Sequence, residues 1–490
     1  MFFQLLAGRT PLTVRRLAFV GPGREGFADD YLARNPQATF AGPGESVEVL
    51  VLADLDATPP RDVLSAAEAI ETGGYLVAAS RSGPHVAAVL AALGDGFRIA
   101  KLQVLVPGDD HFNDLAPRRD PASIDQVSDR DLLLVVQKRG AGPPPPEPLV
   151  VQSAAFAPRL MDIRTRLPAH GLRGDPELIV AYGAAPVQLL PLPPETPKIL
   201  VLQRPALPSV ETWRAATANS IRRGWVPVLE IDDHPALLAA VAGRKLTPAD
   251  WLTYGFPHAI QTSTERLATA FSRYNPVVKV FPNAVFDLHP FPTAPAPRRV
   301  FYGALSRGRL AARVAASLGP VSEEYPEVEF VVVGDRAVFE ALPTARKSFH
   351  DYLPYNAYLD LMATCAVSLS PVEGRLYEDT KSDAKFLDAA ARGVVTLASP
   401  TIYAETIVHG LTGLIAHRLT DWAPLLTGAL RDETARQAMA RRAWDYVRAE
   451  RMFAHQSADR RAWYRELWDR REELNAGVIA RLPGLAQALA

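Results

Sequence analysis

Short runs of β-branched and other apolar residues recur along the chain, among them "RLAFVG", "VEVLVLAD", "KILVLQR", "VPVLEID", "HAIQTS", "VVKVFPN", "RVFYG", "VEFVVVG" and "GVVTLAS". The segments between them bring apolar residues back every three or four positions, as in "VETWRAATANSIRRG" and "TERLATAFSRY". Uninterrupted apolar runs of this length predict parallel strands buried on both faces, and the helical spacing between them predicts the crossovers that parallel pairing requires. The fold class that follows is α/β, in several doubly wound units whose ligands bind beyond the carboxyl ends of the strands. After about residue 418 the strand pattern stops, and "DETARQAMARRAWDYVRAER" and "SADRRAWYRELWDRREEL" read as amphipathic helices.

Proline divides this pattern at "GPPPPEP" (142–148), "PLPPETP" (191–197) and "PFPTAPAP" (290–297). Such stretches are stiff and extended and continue neither a helix nor a central strand. The first and third are read as boundaries and the second as a crossover loop. The expected units are 1–150, 151–292, 293–432 and a helical tail over 433–490.

Composition and charge narrow the chemistry. The 490 residues are 48% apolar, enough to bury a core in each unit. With a net charge of −1 there is no overall field to gather nucleic acid or to hold the chain on an acidic membrane, so an anionic ligand has to be bound locally. The single cysteine, Cys365, sits in the apolar run "LMATCAVSLS", which rules out an internal disulfide and fits a reducing compartment. "MFFQLLAG" lacks a basic lead-in, and no run reaches the roughly 18 apolar residues of a membrane span, so a cytoplasmic location is expected. The late helices, rich in Arg, Trp and Tyr, are expected to pack back across the molecule, with contact to a membrane surface as the alternative.

One stretch, "KSDAKFLDAAARGVVTLAS" (381–399), carries the most chemistry. Thr380 or Ser382 is expected to cap a helix running to about Ala391, where Arg392 and Gly393 stop it before a strand. On that helix Lys381, Lys385 and Asp388 would share one face. Two lysines at a helix start gain nothing from the dipole, and they call for a negative partner. Either Lys385 pairs with Asp388 on a solvated face, or Lys381, Lys385, the Ser382 hydroxyl and the free amides hold a diphosphate while Asp388 reaches sugar hydroxyls.

"LQRPALPSVETWRAATANSIRRGWVPVLEIDDHP", "TSTERLATAFSRYNPVVKVFPNAVFD", "VFYGALSRGR", "VEFVVVGD", "HDYLPYNAYLDLMATCAVSLSPVEG", the stretch 381–399 and "YAETIVHGLTGLIA", in that order, resemble a GT-B glycosyltransferase. The resemblance covers residues 150 to 476 and is nearest to the retaining, nucleotide-sugar-dependent enzymes of family 4 from bacterial surface-glycan pathways. It implies two Rossmann-like domains facing a cleft and transfer of a sugar from a UDP-, GDP- or TDP-sugar to a glycan, lipid-linked or protein acceptor. No other cofactor and no metal are implied.

Position by position, the resemblance implies that Gly303 lets phosphate approach, that Arg307 or Arg309 supplies a cation, and that Lys381, Ser382 and Lys385 hold the diphosphate. Asp388 would bind the ribose, and Glu405 would serve the donor sugar or the local structure. The family's paired glutamates are altered: Asp388 stands at the second and Thr380 at the first, leaving Glu373, Glu378 or Asp379 as the carboxylate near the sugar. An inverting enzyme would need a base, and Asp232, Asp233 or His234 at the end of "VPVLEID" is best placed, unless Asp233 only caps the helix from Pro235. Asn283 is a turn former or a ligand contact, and Arg164 or Arg166 is a candidate for the acceptor side.

Residues 1–150 show "GPGREG" between a strand and a helix, followed by "VEVLVLADLDATPPRDVLSAAEAIETGGYLVAAS", which resembles the latter half of an S-adenosylmethionine methyltransferase. A segment of that fold is missing, and Glu45 is the one acid near the expected ribose position. The unit is therefore read as a reduced Rossmann-like scaffold in which Gly21, Gly23 and Gly26 serve a tight connection. The alternatives are a bifunctional methyltransferase–glycosyltransferase, a GT-B scaffold without turnover, and a sugar-nucleotide epimerase.

Overall fold

A computed structural model of the chain describes residues 2–42, 44–104, 128–140, 146–158, 161–205, 209–294, 298–303, 308–374 and 378–490. The first sheet contains β1 (Arg16–Val20), β2 (Thr39–Phe40), β3 (Val47–Leu52), β4 (Ile70–Ser82), β5 (Phe97–Val104) and β6 (Ser128–Lys138), in the order β2-β1-β3-β4-β6-β5. β1 to β4 pair in parallel, whereas β6 runs antiparallel between β4 and β5. An apolar run shows that a strand is buried on both faces and says nothing about its direction, so β6 departs from the all-parallel expectation.

The second sheet contains β7 (Leu149–Ala155), β8 (Leu178–Ala184), β9 (Lys198–Gln203), β10 (Val226–Ile231), β11 (Ala259–Thr262) and β12 (Val278–Val280), in the order β12-β11-β10-β9-β7-β8. The third contains β13 (Arg299–Gly303), β14 (Glu329–Val333), β15 (Lys347–His350), β16 (Val367–Ser370), β17 (Val395–Ala398) and β18 (Leu414–Ile415), ordered β15-β14-β13-β16-β17-β18. Every pair in these two sheets is parallel, for example Val300 of β13 between Phe330 and Val367. Helices such as Val210–Arg222 and Ala384–Ala391 connect the strands, so both sheets are Rossmann-like, with a further α/β sheet in front.

The cores divide differently from the proline marks. Leu17, Val49 and Val77 of the first sheet belong to one continuous apolar core with Val151, Val201 and Val228 of the second. Trp463, Tyr464 and Leu467, from the helix Ala454–Asp469, complete it. The third sheet has its own core, with Val300, Val332, Leu397, Trp422 and Leu426. Each fully buried Leu or Val side chain contributes roughly 1.5–3 kcal/mol, so the units of the first and second sheets stabilise each other. The tail packs back as expected, with Val478, Leu482 and Leu485 against Trp213 and Phe256. Among the described residues no helix is long and apolar enough to cross a membrane.

The chain passes between the second and third sheets twice, and the two passages pair as a parallel bridge between Val285 and Met452. The first unit sits on this crossing. Ala33 O accepts from Leu288 N at 2.7 Å, Arg34 Nε lies 3.3 Å from Asp287 Oδ1, and Gln37 meets His455 at 2.7 Å. Its glycine-rich turn is tight, with Gly21 at φ +114° and Gly23 at φ +85°. Glu45 accepts from Gly42 N in a local turn.

Candidate active site

The order of the third sheet reverses direction between β13 and β16, which opens a crevice where those two strands end. β13 ends at Gly303. A β-carbon there would stand 2.5 Å from Tyr358 Oη, so glycine is required by the aromatic side chain against it. Lys385, in the first turn of the helix Ala384–Ala391, donates its Nζ to Gly303 O and so stands at the crevice mouth.

This helix begins later than its sequence suggests. Asp383 is its N-cap by position, yet no side chain caps the first-turn amides. The Asp383 carboxylate instead receives both guanidinium nitrogens of Arg451, at 2.7 and 3.0 Å, and the Thr406 hydroxyl at 2.8 Å. Ser382 Oγ accepts from Asn283 Nδ2 at 2.7 Å. With both side chains drawn away, Lys381 lies in the preceding turn, its N–H on Glu378 O at 3.2 Å, and not on the helical face shared by Lys385 and Asp388. Charge and dipole at a helix start of this kind, without a side-chain cap, favour an anion.

Asp388 is half-buried and accepts from Tyr355 Oη at 2.7 Å. Burial pushes its carboxyl up to about 6, against the Tyr355 hydrogen bond and the charges of Lys385 and Arg392. Since the ordinary value is about 4, ionising Asp388 opposes folding, and this penalty sets in as pH rises from about 4 to 6. The variant Asp388→Asn, which keeps the acceptor for Tyr355, is expected to melt above the parent at pH 7.5 and level with it at pH 4. An equal difference at both pH values would contradict the assignment.

The other carboxylates are distributed around the cleft. Glu373 Oε1 accepts from Leu310 N at 2.8 Å, at the start of the helix Gly308–Ala316, beside exposed Arg309. Glu378 is buried in the turn before Lys381. Glu405 is exposed and pairs with Arg266 of the facing half. Arg307 lies outside the described residues. Arg266 Nη1 also donates to Asp379 O at 2.8 Å, and Thr264 Oγ1 donates to Thr380 O at 2.9 Å. The Arg266–Glu405 side chains are 45% and 65% exposed, so their pairing contributes about 0–1 kcal/mol.

On the acceptor side, Asp232 and Asp233 follow β10 and face Arg204, which pairs with Asp233 and stands 3.8 Å from Asp232. Arg204 is held at φ +52°, a strained conformation for a residue with a side chain. His234, not Asp233, caps the helix Pro235–Val241: its Nδ1 accepts from Ala236 N at 3.2 Å. Burial lowers its pKa, so the ring is neutral with its proton on Nε2, and it takes a proton only by giving up the cap. Arg164 forms a buried ion pair with Glu230 at 2.8 Å, and Arg166 pairs with Asp162 at 2.5 Å. Among the described residues no group of three or more His, Cys, Asp or Glu side chains could hold a metal ion.

Sequence reasoning missed Arg204, Glu230, Tyr355 and Arg451. The signal for Arg204 was its place at a strand end before a proline in "LQRP"; for the others nothing local marks the partner.

Solved structures similar to the chain include sucrose-phosphate synthase from Thermosynechococcus elongatus (11% identity, 66% of this chain and 100% of that one, TM-score 0.48). Another is Anabaena HepE in complex with UDP and glucose (15% identity, 64% and 98%, TM-score 0.45). A third is a TarM mutant from S. aureus in complex with fondaparinux, α-GlcNAc-glycerol and UDP (11% identity, TM-score 0.41). That match covers 55% of this chain and 55% of the TarM chain, so it spans about half the length of TarM. No curated protein matches the chain in sequence. Residues 313–463, which run from the first helix of the third sheet to the tail and include Lys381, Ser382, Lys385 and Asp388, match the family described as Glycosyl transferase-like.

Proposed function

We propose that the protein is a glycosyltransferase that moves a sugar from a nucleoside-diphosphate sugar to a glycan, lipid-linked or protein acceptor. The observation that carries this reading is the gathering of Lys385, Ser382 and uncapped helix amides at the strand-end crevice of the part that matches the glycosyl transferase-like family. Breaking the anomeric C–O bond sends its electron pair to a β-phosphate oxygen. Fixed cations and amides stabilise that charge as it grows. With two lysines doing this, the reaction proceeds without a metal. The reading is of family 4 type and retaining: the acceptor oxygen bonds to the anomeric carbon on the face the diphosphate leaves, and its proton passes to a phosphate oxygen. Arg204 pairs with Asp233 and stands 3.8 Å from Asp232, so both carboxylates an inverting base would use already face a cation, which disfavours the inverting alternative.

The first unit is proposed to be a scaffold, supported by its shared core with the acceptor half and its seat on the crossing at 287–288. The antiparallel β6 between β4 and β5 supports the likeness to a methyltransferase sheet without supplying a cofactor site.

Thermal shift with UDP, GDP and TDP tests the proposal. One of them is expected to raise the melting temperature of the parent by several degrees and to lose that effect in Lys381→Ala. No shift with any of them would favour a fold without turnover.

A further inference from the structure

We infer that Asn283, fixed by Arg164, is a positioning residue that turns the Ser382 hydroxyl proton toward the diphosphate of the donor. The inference rests on the donor-site reading above and names the acceptor-half residues on which its serine contact depends.

Hydrogen-bond direction carries the case. A guanidinium only donates. Arg164 Nη1 lies 3.0 Å from one end of the Asn283 amide and 2.9 Å from Phe281 O, so the end of Asn283 that faces it is the carbonyl oxygen. The amide nitrogen therefore faces Ser382, 2.7 Å from Oγ, and donates to it. A hydroxyl has one proton; once Oγ accepts from Asn283, that proton is left for another acceptor. Of the charged neighbours of Ser382, Lys381 and Lys385 only donate, as do the amides at the helix start, and both oxygens of Asp383 already receive Arg451 and Thr406. An anion in the crevice is the acceptor that fits.

Arg164 is itself held in place. Its Nε meets Glu230 Oε1 at 2.8 Å, Glu230 Oε2 accepts from Gln261 Nε2 at 2.5 Å, and Gln261 Oε1 accepts from Tyr464 Oη at 2.8 Å. The Arg164 and Glu230 side chains are 2% and 1% exposed. The chain of bonds thus runs from the tail helix, across the strand ends of the acceptor half, to the donor loop. Each link has one sense, and reversing the last would require Arg164 to accept. From the other side Arg451 Nη2 holds Asn283 O at 3.0 Å, so the backbone of the residue is fixed as well as its side chain.

The test uses the full chain and the tightest binder of UDP, GDP and TDP, with affinity read by calorimetry. In Asn283→Asp the oxygen facing Arg164 is kept, but the atom facing Ser382 now only accepts, and the serine proton is drawn back to it. Affinity is expected to fall at least tenfold in Asn283→Asp and similarly in Ser382→Ala, and the double variant is expected to lose little more than either single one. Ser382→Thr, which keeps a hydroxyl, is expected to restore most of the affinity lost in Ser382→Ala. An unchanged affinity in Asn283→Asp overturns the inference alone. So does a loss that is just as large in the Ser382→Ala background, since it would then come from the added charge. If Asn283→Asp does not fold, an unchanged affinity in Ser382→Ala overturns it. Absence of binding by the parent to all three nucleotides overturns the donor-site reading and this inference together.

Discussion

Removing the Glu230 carboxylate in Glu230→Ala is expected to lower stability by about 3–5 kcal/mol, the range for leaving one member of a buried ion pair alone. Arg164 would keep its hydrogen bonds to Phe281 and Asn283 but lose its counter-charge at a site where its side chain is 2% exposed. Gln261 would lose the acceptor for its amide nitrogen, which adds to the penalty. Urea unfolding followed by tryptophan fluorescence is the measurement, since Trp225 and Trp463 lie in this half. A change below about 1 kcal/mol would mean that water reaches the pair. Replacing Arg164 and Glu230 together by apolar residues of similar volume is expected to recover most of the stability, because well-packed apolar groups substitute for buried pairs at little net change. Recovered stability with poor nucleotide binding would separate the fold-holding part of the network from its effect on Ser382.

Lys385→Ala is expected to weaken nucleoside-diphosphate binding by roughly 10- to 150-fold, corresponding to about 1.5–3 kcal/mol for a hydrogen bond to a charged partner. The ammonium is tied to Gly303 O, at the carboxyl end of β13, so its charge is already in place before a ligand arrives. That preorganisation is what makes the loss large: an exposed lysine would have to be ordered on binding. Lys385→Arg is not expected to rescue, since a planar fork does not replace a point charge packed against a carbonyl. Titration of the parent and both variants with UDP is the measurement, and affinities within twofold of one another would remove Lys385 from the site.

Much of the frame was legible in the chain. "KILVLQ" and "VPVLEI" are strands because the polar residues in them, Lys198, Gln203 and Glu230, lie at or next to the strand ends. The crevice was legible too, because a short helix carrying lysines falls between two strand runs. The partners were not. Asp383 meets Arg451, Glu405 meets Arg266 and Ser382 meets Asn283 over separations of 68, 139 and 99 residues, and each was read from its immediate neighbours alone. This is why Thr380 or Ser382 was expected to cap the helix: a hydroxyl residue before an apolar run looks like a cap unless something distant claims it. The shared core of the first two sheets was hidden for a related reason. A proline run marks where the chain is stiff, while an apolar run marks what is buried without naming what it is buried against.

The crossing at Val285 and Met452 has a consequence for how the molecule can be taken apart. Val285 N donates to Arg451 O and Val285 O accepts from Phe453 N, each at 2.8 Å, so the chain leaves the acceptor half and returns to it at one point. Everything between, including the whole third sheet and its own core, is an insertion with adjoining ends. Excision of residues 286–451 with a short linker across the gap is expected to leave the first two sheets folded, as circular dichroism and thermal melting of the remaining chain would show, and the excised piece carries the lysines with it. The first unit permits no such cut, because its apolar face is part of the core around the second sheet. By its core the first unit belongs with the second sheet, and the piece most open to transplantation is the one in the middle of the sequence.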